Sequence, residues 1–132
     1  MNRKINKVAI LGSGVMGSGI ACHFANIGVE VILLDLIPKK NSSEINDITY
    51  RNNIVNDNLQ KSINSKPSPL YDQKFLSRIS VGNFIDDFSK ISKADWIIEV
   101  VVENLEIKKK ILKKIEKFRT PGTIISSNTS GI

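Results

Sequence analysis

Cysteine is nearly absent from this chain, and histidine, proline and aromatic residues are scarce. The 132 residues hold one Cys, one His and four Pro, and 6% are aromatic. A lone thiol, Cys22, excludes an internal disulfide and any cysteine zinc cluster. Apolar runs are short as well. None approaches the ~20 residues that span a bilayer, and Met1-Asn2-Arg3-Lys4 leads into an apolar strand without the layout of a signal peptide. The expectation is a cytoplasmic protein with no integral membrane segment. At this length the chain is read as one domain, 1–132, able to bury roughly two-thirds of its unfolded surface. A hydrophobic fraction of 41% and a charged fraction of 24% are ordinary for a globular protein.

Acidic residues are outnumbered, and the formal charge is +6. Residues 103–119 carry seven Lys/Arg against three Glu, a local +4. Such a run reads first as the solvated face of a helix. Its sharper reading is attraction of an anionic ligand, such as a nucleotide or a coenzyme A ester. The stretch holds a single aromatic, Phe118, and no recognised nucleic-acid-binding motif, so no nucleic-acid partner is expected.

Glycine, by contrast, is concentrated. Gly12, Gly14 and Gly17 fit G-x-G-x-x-G, and the apolar run 8–11 stands directly before them. Strand, glycine turn and helix in that order form a dinucleotide-binding fingerprint. Gly12 permits the tight turn, Gly14 offers no side chain to block a pyrophosphate, and Gly17 lets helix and strand pack closely. The phosphates would rest on N–H groups at the helix N-terminus, where the dipole favours negative charge. A second apolar run, 29–34, follows after one helix length. It ends in Asp35, 18 residues beyond Gly17, placed to accept hydrogen bonds from an adenosine ribose. A carboxylate there would repel the extra phosphate of NADP, so the expected cofactor is NAD.

The remaining chain alternates strands and helices. Strands are expected over 7–11, 29–34, 79–81, 96–101 and 123–126, with a turn at Gly82-Asn83. The first helix is expected over 15–27, stopped by Gly28. Residues 39–69 are polar, with apolar residues at Ile45, Ile48, Ile54, Val55, Leu59 and Ile63, and predict one or two amphipathic helices. Asp86 is a candidate cap for a short helix to Ile91. Asn104 is a candidate cap for a helix whose apolar stripe is Ile107, Ile111, Ile115 and Phe118. The alternation predicts an α/β fold: a Rossmann-type, doubly wound, mainly parallel sheet with a helical excursion after the second strand.

Three segments then fall at C-terminal strand ends: 12–17, 102–104 and 126–130. They would meet in one crevice, bringing phosphate-binding N–H groups, a carboxylate with the Lys108 amine one turn on, and hydroxyls with an amide. At these residues the sequence resembles a known family. Leu11-Gly-Ser-Gly-Val-Met-Gly-Ser-Gly-Ile-Ala21, Ala94-Asp-Trp-Ile-Ile-Glu-Val-Val-Val-Glu-Asn-Leu-Glu-Ile-Lys108 and Ser127-Asn-Thr-Ser130 are similar to the NAD-binding domain of 3-hydroxyacyl-CoA dehydrogenases. Lys66-Pro-Ser-Pro-Leu70 looks closer to the long multifunctional bacterial branch of β-oxidation proteins than to short stand-alone enzymes. The resemblance implies oxidation of 3-hydroxyacyl-CoA to 3-oxoacyl-CoA, with hydride passed to NAD. It implies that Gly12, Gly14 and Gly17 form the phosphate turn, with backbone contacts from Val15 and Met16, and that Asp35 holds the ribose. Glu103 and Lys108 match a pair on the nicotinamide side. Asn128 and Ser130 match catalytic residues near the nicotinamide and the substrate's 3-oxygen.

The same resemblance exposes a gap. The family's general base is a histidine paired with glutamate beyond Ser-Asn-Thr-Ser. The single histidine here, His23, falls in the first helix, away from that position. A C-terminal helical domain that closes over substrate and often forms the dimer is expected elsewhere in a longer protein. The fragment alone is expected to turn over little substrate, since a positioned base typically contributes ~10²–10⁴-fold. Two other readings stay open: another β-hydroxyacid dehydrogenase, and a non-catalytic NAD-sensing or interaction module. Cys22 is read as a buried apolar group, and Glu99 as a strand-end residue with hydrogen-bond partners.

Overall fold

The computed structural model describes residues 4–39, 46–102 and 104–127. Within them, five segments pair into one all-parallel sheet. They are β1 (Lys7–Leu11), β2 (Glu30–Asp35), β3 (Ile79–Asn83), β4 (Trp96–Glu99) and β5 (Ile124–Ser127), arranged in the order β3-β2-β1-β4-β5. The chain winds outward from β1 to β3, then crosses back to place β4 on the other side of β1. The expected doubly wound, Rossmann-type α/β sheet is therefore what forms. The crossover opens a crevice above the C-terminal ends of β1 and β4.

Central strands covered on both faces must be apolar at nearly every position. Val8, Ala9, Ile10 and Leu11 of β1 are fully buried, and alternate residues serve opposite cores. Val8 and Ile10 join Val31, Leu33, Ile98 and Val100 beneath α1 (Val15–Asn26) and α3 (Asn53–Ile63). Ala9 and Leu11 join Ile32, Leu34, Ile97 and Val101 beneath α4 (Leu105–Phe118) and the 3₁₀ segment Phe88–Lys93. The α4 stripe lies as its spacing predicts. Ile111 and Ile115 are buried, Ile107 and Phe118 pack at the edge, and Asn104 caps the helix by accepting from the Ile107 N–H at 3.0 Å. Full burial of an isoleucine stabilises by ~1.5–3 kcal/mol, and such a cap by ~1 kcal/mol. No helix among the described residues is long and apolar enough to cross a membrane.

The excursion contains two helices, α2 (Ile48–Arg51) and α3, and α3 docks through Val55, Leu59 and Ile63. Ile45 lies outside the described residues, and Ile48 is exposed. Two expectations fail nearby. Gly82-Asn83 is not a turn but the last pair of β3, in register with Leu34 and Asp35. The turn begins one step later, because the Asn83 side chain accepts from the N–H groups of Ile85 and Asp86. The glycine is needed for closeness: a Cβ on Gly82 would stand 2.4 Å from an Asp87 carboxylate oxygen. Nor does Asp86 cap a helix. Its carboxylate is taken by Arg51 of α2, and the short helix starts at Phe88 as a 3₁₀ turn.

Candidate functional site

The glycine turn is shaped by contacts that a side chain would break. Gly12 has φ +112°, its N–H donates to Leu34 O at 2.8 Å, and a Cβ there would lie 3.0 Å from the Val100 carbonyl. Gly17 is tighter: its Cβ would fall 1.8 Å from Gly12 O. Gly14 differs from both. It stands at the N-cap of α1, and a Cβ there would meet nothing within 4 Å. Its missing side chain leaves open space where a diphosphate must approach. Among the described residues no side chain caps α1, so its N-terminal end is presented to that space, with Val15 and Met16 exposed in the first turn.

Asp35 is in register beside Asn83 at the end of β2, and 5% of it is exposed. One carboxylate oxygen accepts from the Ser13 N–H at 2.8 Å and from the Ser13 hydroxyl at 2.5 Å, while the other accepts from the Leu36 N–H at 2.7 Å. The carboxylate is thereby tied to the glycine turn. Ser13 itself is fully buried, and its carbonyl accepts from the Ser18 hydroxyl. It occupies an unspecified position of the glycine motif, so nothing in that pattern marks it.

On the far side of the crevice, Glu99 ends β4 in register with Leu11 and Ser127. It is fully buried, as a strand-end residue with partners. Its carboxylate accepts from the Val101 N–H at 2.6 Å and the Ser127 hydroxyl at 2.5 Å, and the Lys108 ammonium stands 4.0 Å away. One buried group thus gathers the ends of β4 and β5 and the first turn of α4. The sequence pattern signals it only as a charge inside an apolar run. Glu103, Asn128 and Ser130 lie outside the described residues. His23 is exposed on the last turn of α1, its ring 6.1 Å from that of Phe24. Cys22 is buried, which pushes its thiol up from the ordinary range.

Between Asp35 and α4 lies an open apolar cleft of about 550 Å³, lined by Leu36, Phe84, Ile107 and Ile111 and rimmed by Lys110 and Lys113. The Lys114 ammonium closes one edge by donating to Phe84 O at 3.1 Å. Backbone donors at a helix end, a carboxylate on the neighbouring strand and an open apolar cleft beyond it fit the parts of an adenine dinucleotide in order.

Residues 7–132 match the family model described as 3-hydroxyacyl-CoA dehydrogenase, NAD binding domain. The chain is 49% identical to a probable 3-hydroxyacyl-CoA dehydrogenase of Bacillus subtilis, over 100% of this chain and 18% of that protein. It is 42% identical to a putative fatty acid oxidation complex trifunctional enzyme of Rickettsia felis, over 98% of this chain and 17% of that one. Among solved structures, (S)-3-hydroxybutyryl-CoA dehydrogenase from Ralstonia eutropha matches 98% of this chain and 42% of its own, with a TM-score of 0.65 and 29% identity. The chain therefore spans less than a fifth of the length of the two curated relatives. On the glycine turn, the parallel sheet and this match together, the chain belongs to the 3-hydroxyacyl-CoA dehydrogenase family, as its NAD-binding domain.

Proposed function

We propose that residues 1–132 form the cofactor-binding domain of a longer, cytoplasmic 3-hydroxyacyl-CoA dehydrogenase. The parent protein oxidises 3-hydroxyacyl-CoA to 3-oxoacyl-CoA in fatty acid β-oxidation. The observation that carries the reading is the pairing of an uncapped α1 N-terminus with a buried carboxylate hydrogen-bonded to the same turn. Gly12, Gly14 and Gly17 shape the turn, and Val15 and Met16 lend main-chain contacts to the diphosphate. Asp35 holds the adenosine ribose, and the cleft at Leu36, Phe84, Ile107 and Ile111 receives the adenine. When bound, the nicotinamide supplies the hydride acceptor.

This chain's residues bind and orient. Lys108, held near Glu99, and Glu103 line the nicotinamide side. Asn128 and Ser130 are assigned to the substrate side, with the Ser130 hydroxyl as the donor for the substrate's 3-oxygen. The alcohol proton needs a base from the C-terminal domain, so the domain alone turns over little. That domain also closes over the acyl-CoA and forms the dimer.

Calorimetric titration of the 132-residue chain tests the cofactor claim. NAD should bind, and NADP should bind far more weakly, because Asp35 repels a 2′-phosphate. An absence of heat at millimolar NAD would refute it. Asp35→Asn should lower NAD affinity about 10- to 100-fold, as for loss of charged hydrogen bonds. The activity claim is tested on the parent protein, assayed with 3-hydroxyacyl-CoA against free 3-hydroxyacids. Preference for the free acids would assign the domain to another branch of hydroxyacid dehydrogenases.

A further inference from the structure

We infer that Asn58 of α3 is a positioning residue for the dinucleotide site, acting through the Ser13 hydroxyl on the Asp35 carboxylate. The inference rests on the assignment of Asp35 to the ribose. Ser13 Oγ lies 2.5 Å from Asp35 Oδ2 and 3.0 Å from Asn58 Nδ2. A hydroxyl has one proton and a carboxylate has none to give. The Ser13 proton is therefore committed to Asp35, and the Asn58 amide must be the donor to Ser13. One contact fixes the amide orientation, the hydroxyl rotor and the carboxylate together.

The link runs between parts of the chain with separate origins. Ser13 and Asp35 belong to the strand–turn–helix unit, whereas Asn58 belongs to the excursion, 45 residues beyond Ser13. The buried docking residues of α3 are all apolar, Val55, Leu59 and Ile63, and Asn58 is a half-buried polar residue beside them. Asn58 also lines a cleft of about 200 Å³ with Gly14 and Val15, so it stands where the excursion meets the phosphate turn. A hydrogen bond donated to Ser13 polarises its hydroxyl and strengthens the bond that hydroxyl makes to Asp35. The seating of α3 thus sets how firmly the ribose acceptor is held.

NAD affinity of the 132-residue chain, measured by calorimetry, tests this in six forms: wild type, Asn58→Ala, Asn58→Asp, Ser13→Ala, the Ser13→Ala/Asn58→Ala double variant, and Asp35→Asn. Asn58→Ala should weaken binding about three- to tenfold, the range of one net hydrogen bond. Asn58→Asp keeps the shape but turns the donor into an acceptor that competes for the Ser13 proton, so it should bind more weakly than Asn58→Ala. In the Ser13→Ala background, Asn58→Ala should have no further effect, because the relay is already cut. An equal loss in both backgrounds, no loss in the wild-type background, or tighter binding by Asn58→Asp than by Asn58→Ala would each overturn the inference. The comparison of the two Asn58 variants stands whether or not Ser13→Ala folds. Unchanged affinity in Asp35→Asn would instead overturn the ribose assignment, a separately visible outcome.

Discussion

The two sides of the crevice are built on opposite principles. On the β1–β2 side the essential parts are main chain: a turn that Gly12 and Gly17 allow, a helix end no described side chain caps, and Asp35 drawn onto that turn by the Ser13 N–H. On the β4–β5 side the organiser is a buried side chain, Glu99, joined to Val101, Ser127 and Lys108. The first side works through what is left out and tolerates no added atom beneath the turn. The second works through a polar group placed where polarity is costly, so it fails when a partner is removed.

Gly17→Ala should break the first side most severely. The added carbon falls on a backbone oxygen that cannot step aside, so the turn must shift relative to β1. The expected cost is about 3 kcal/mol or more, read as a lower urea midpoint together with loss of NAD binding. Near-normal stability would mean that turn and helix are not in close contact.

Legibility followed the same division. The glycine turn and Asp35 could be read from the sequence because backbone constraints leave a mark at fixed spacing: only glycine suits the φ of Gly12 or the contact at Gly17. The three inner strands, β2, β1 and β4, were legible because burial on both faces demands unbroken apolar runs. Ser13 was not legible, since its role depends on Asp35 and Asn58, which meet it only after folding. Asp86 misled because its helix-capping chemistry was outcompeted by an Arg51 guanidinium from 35 residues away. Gly82-Asn83 misled for a related reason: turn-forming residues ended a strand, because Asp87 folds back against it.

Glu99→Gln tests the second side. Glutamine keeps the volume and an acceptor for Val101 N–H but withdraws the charge facing Lys108, whose side chain is 14% exposed. A destabilisation of about 2 kcal/mol is expected, the scale of a hydrogen-bonded charged contact. It should appear as a lower urea midpoint with an unchanged slope, because the sheet still forms. No change would reduce Glu99 to a packing residue.

Gly14→Ala sharpens the contrast, since it is the glycine with nothing to strike. At φ −58° and with open space around the new methyl, the variant should fold as well as wild type. It should gain ~0.4–1 kcal/mol through reduced unfolded-state freedom. NAD affinity should nonetheless fall about tenfold, as the methyl occupies the path of the diphosphate. Stability and affinity moving in opposite directions would separate the binding glycine from the two structural ones.

The smallest effect concerns a polar link that is exposed where Glu99 is buried. The Arg51 guanidinium donates to both Asp86 oxygens, at 2.8 and 2.9 Å, and the Asn83 amide adds a bond at 3.0 Å. The Arg51 hydrogen bonds, then that of Asn83, hold the Asp86 carboxyl below the usual carboxylate range. A carboxyl depressed in the folded state contributes its stabilisation above its unfolded value and loses it as pH falls through the folded value. The stability difference between wild type and Asp86→Asn should therefore stay constant above about pH 5 and close below about pH 4, where free aspartate takes up its proton. Urea midpoints of both proteins across that range measure it. With the Asp86 side chain 34% exposed, the gap should be smaller than for Glu99→Gln, because solvent screens an open ion pair. An equal or larger gap would mean that pinning α2 to the end of β3 matters as much to the fold as the buried knot beneath Lys108.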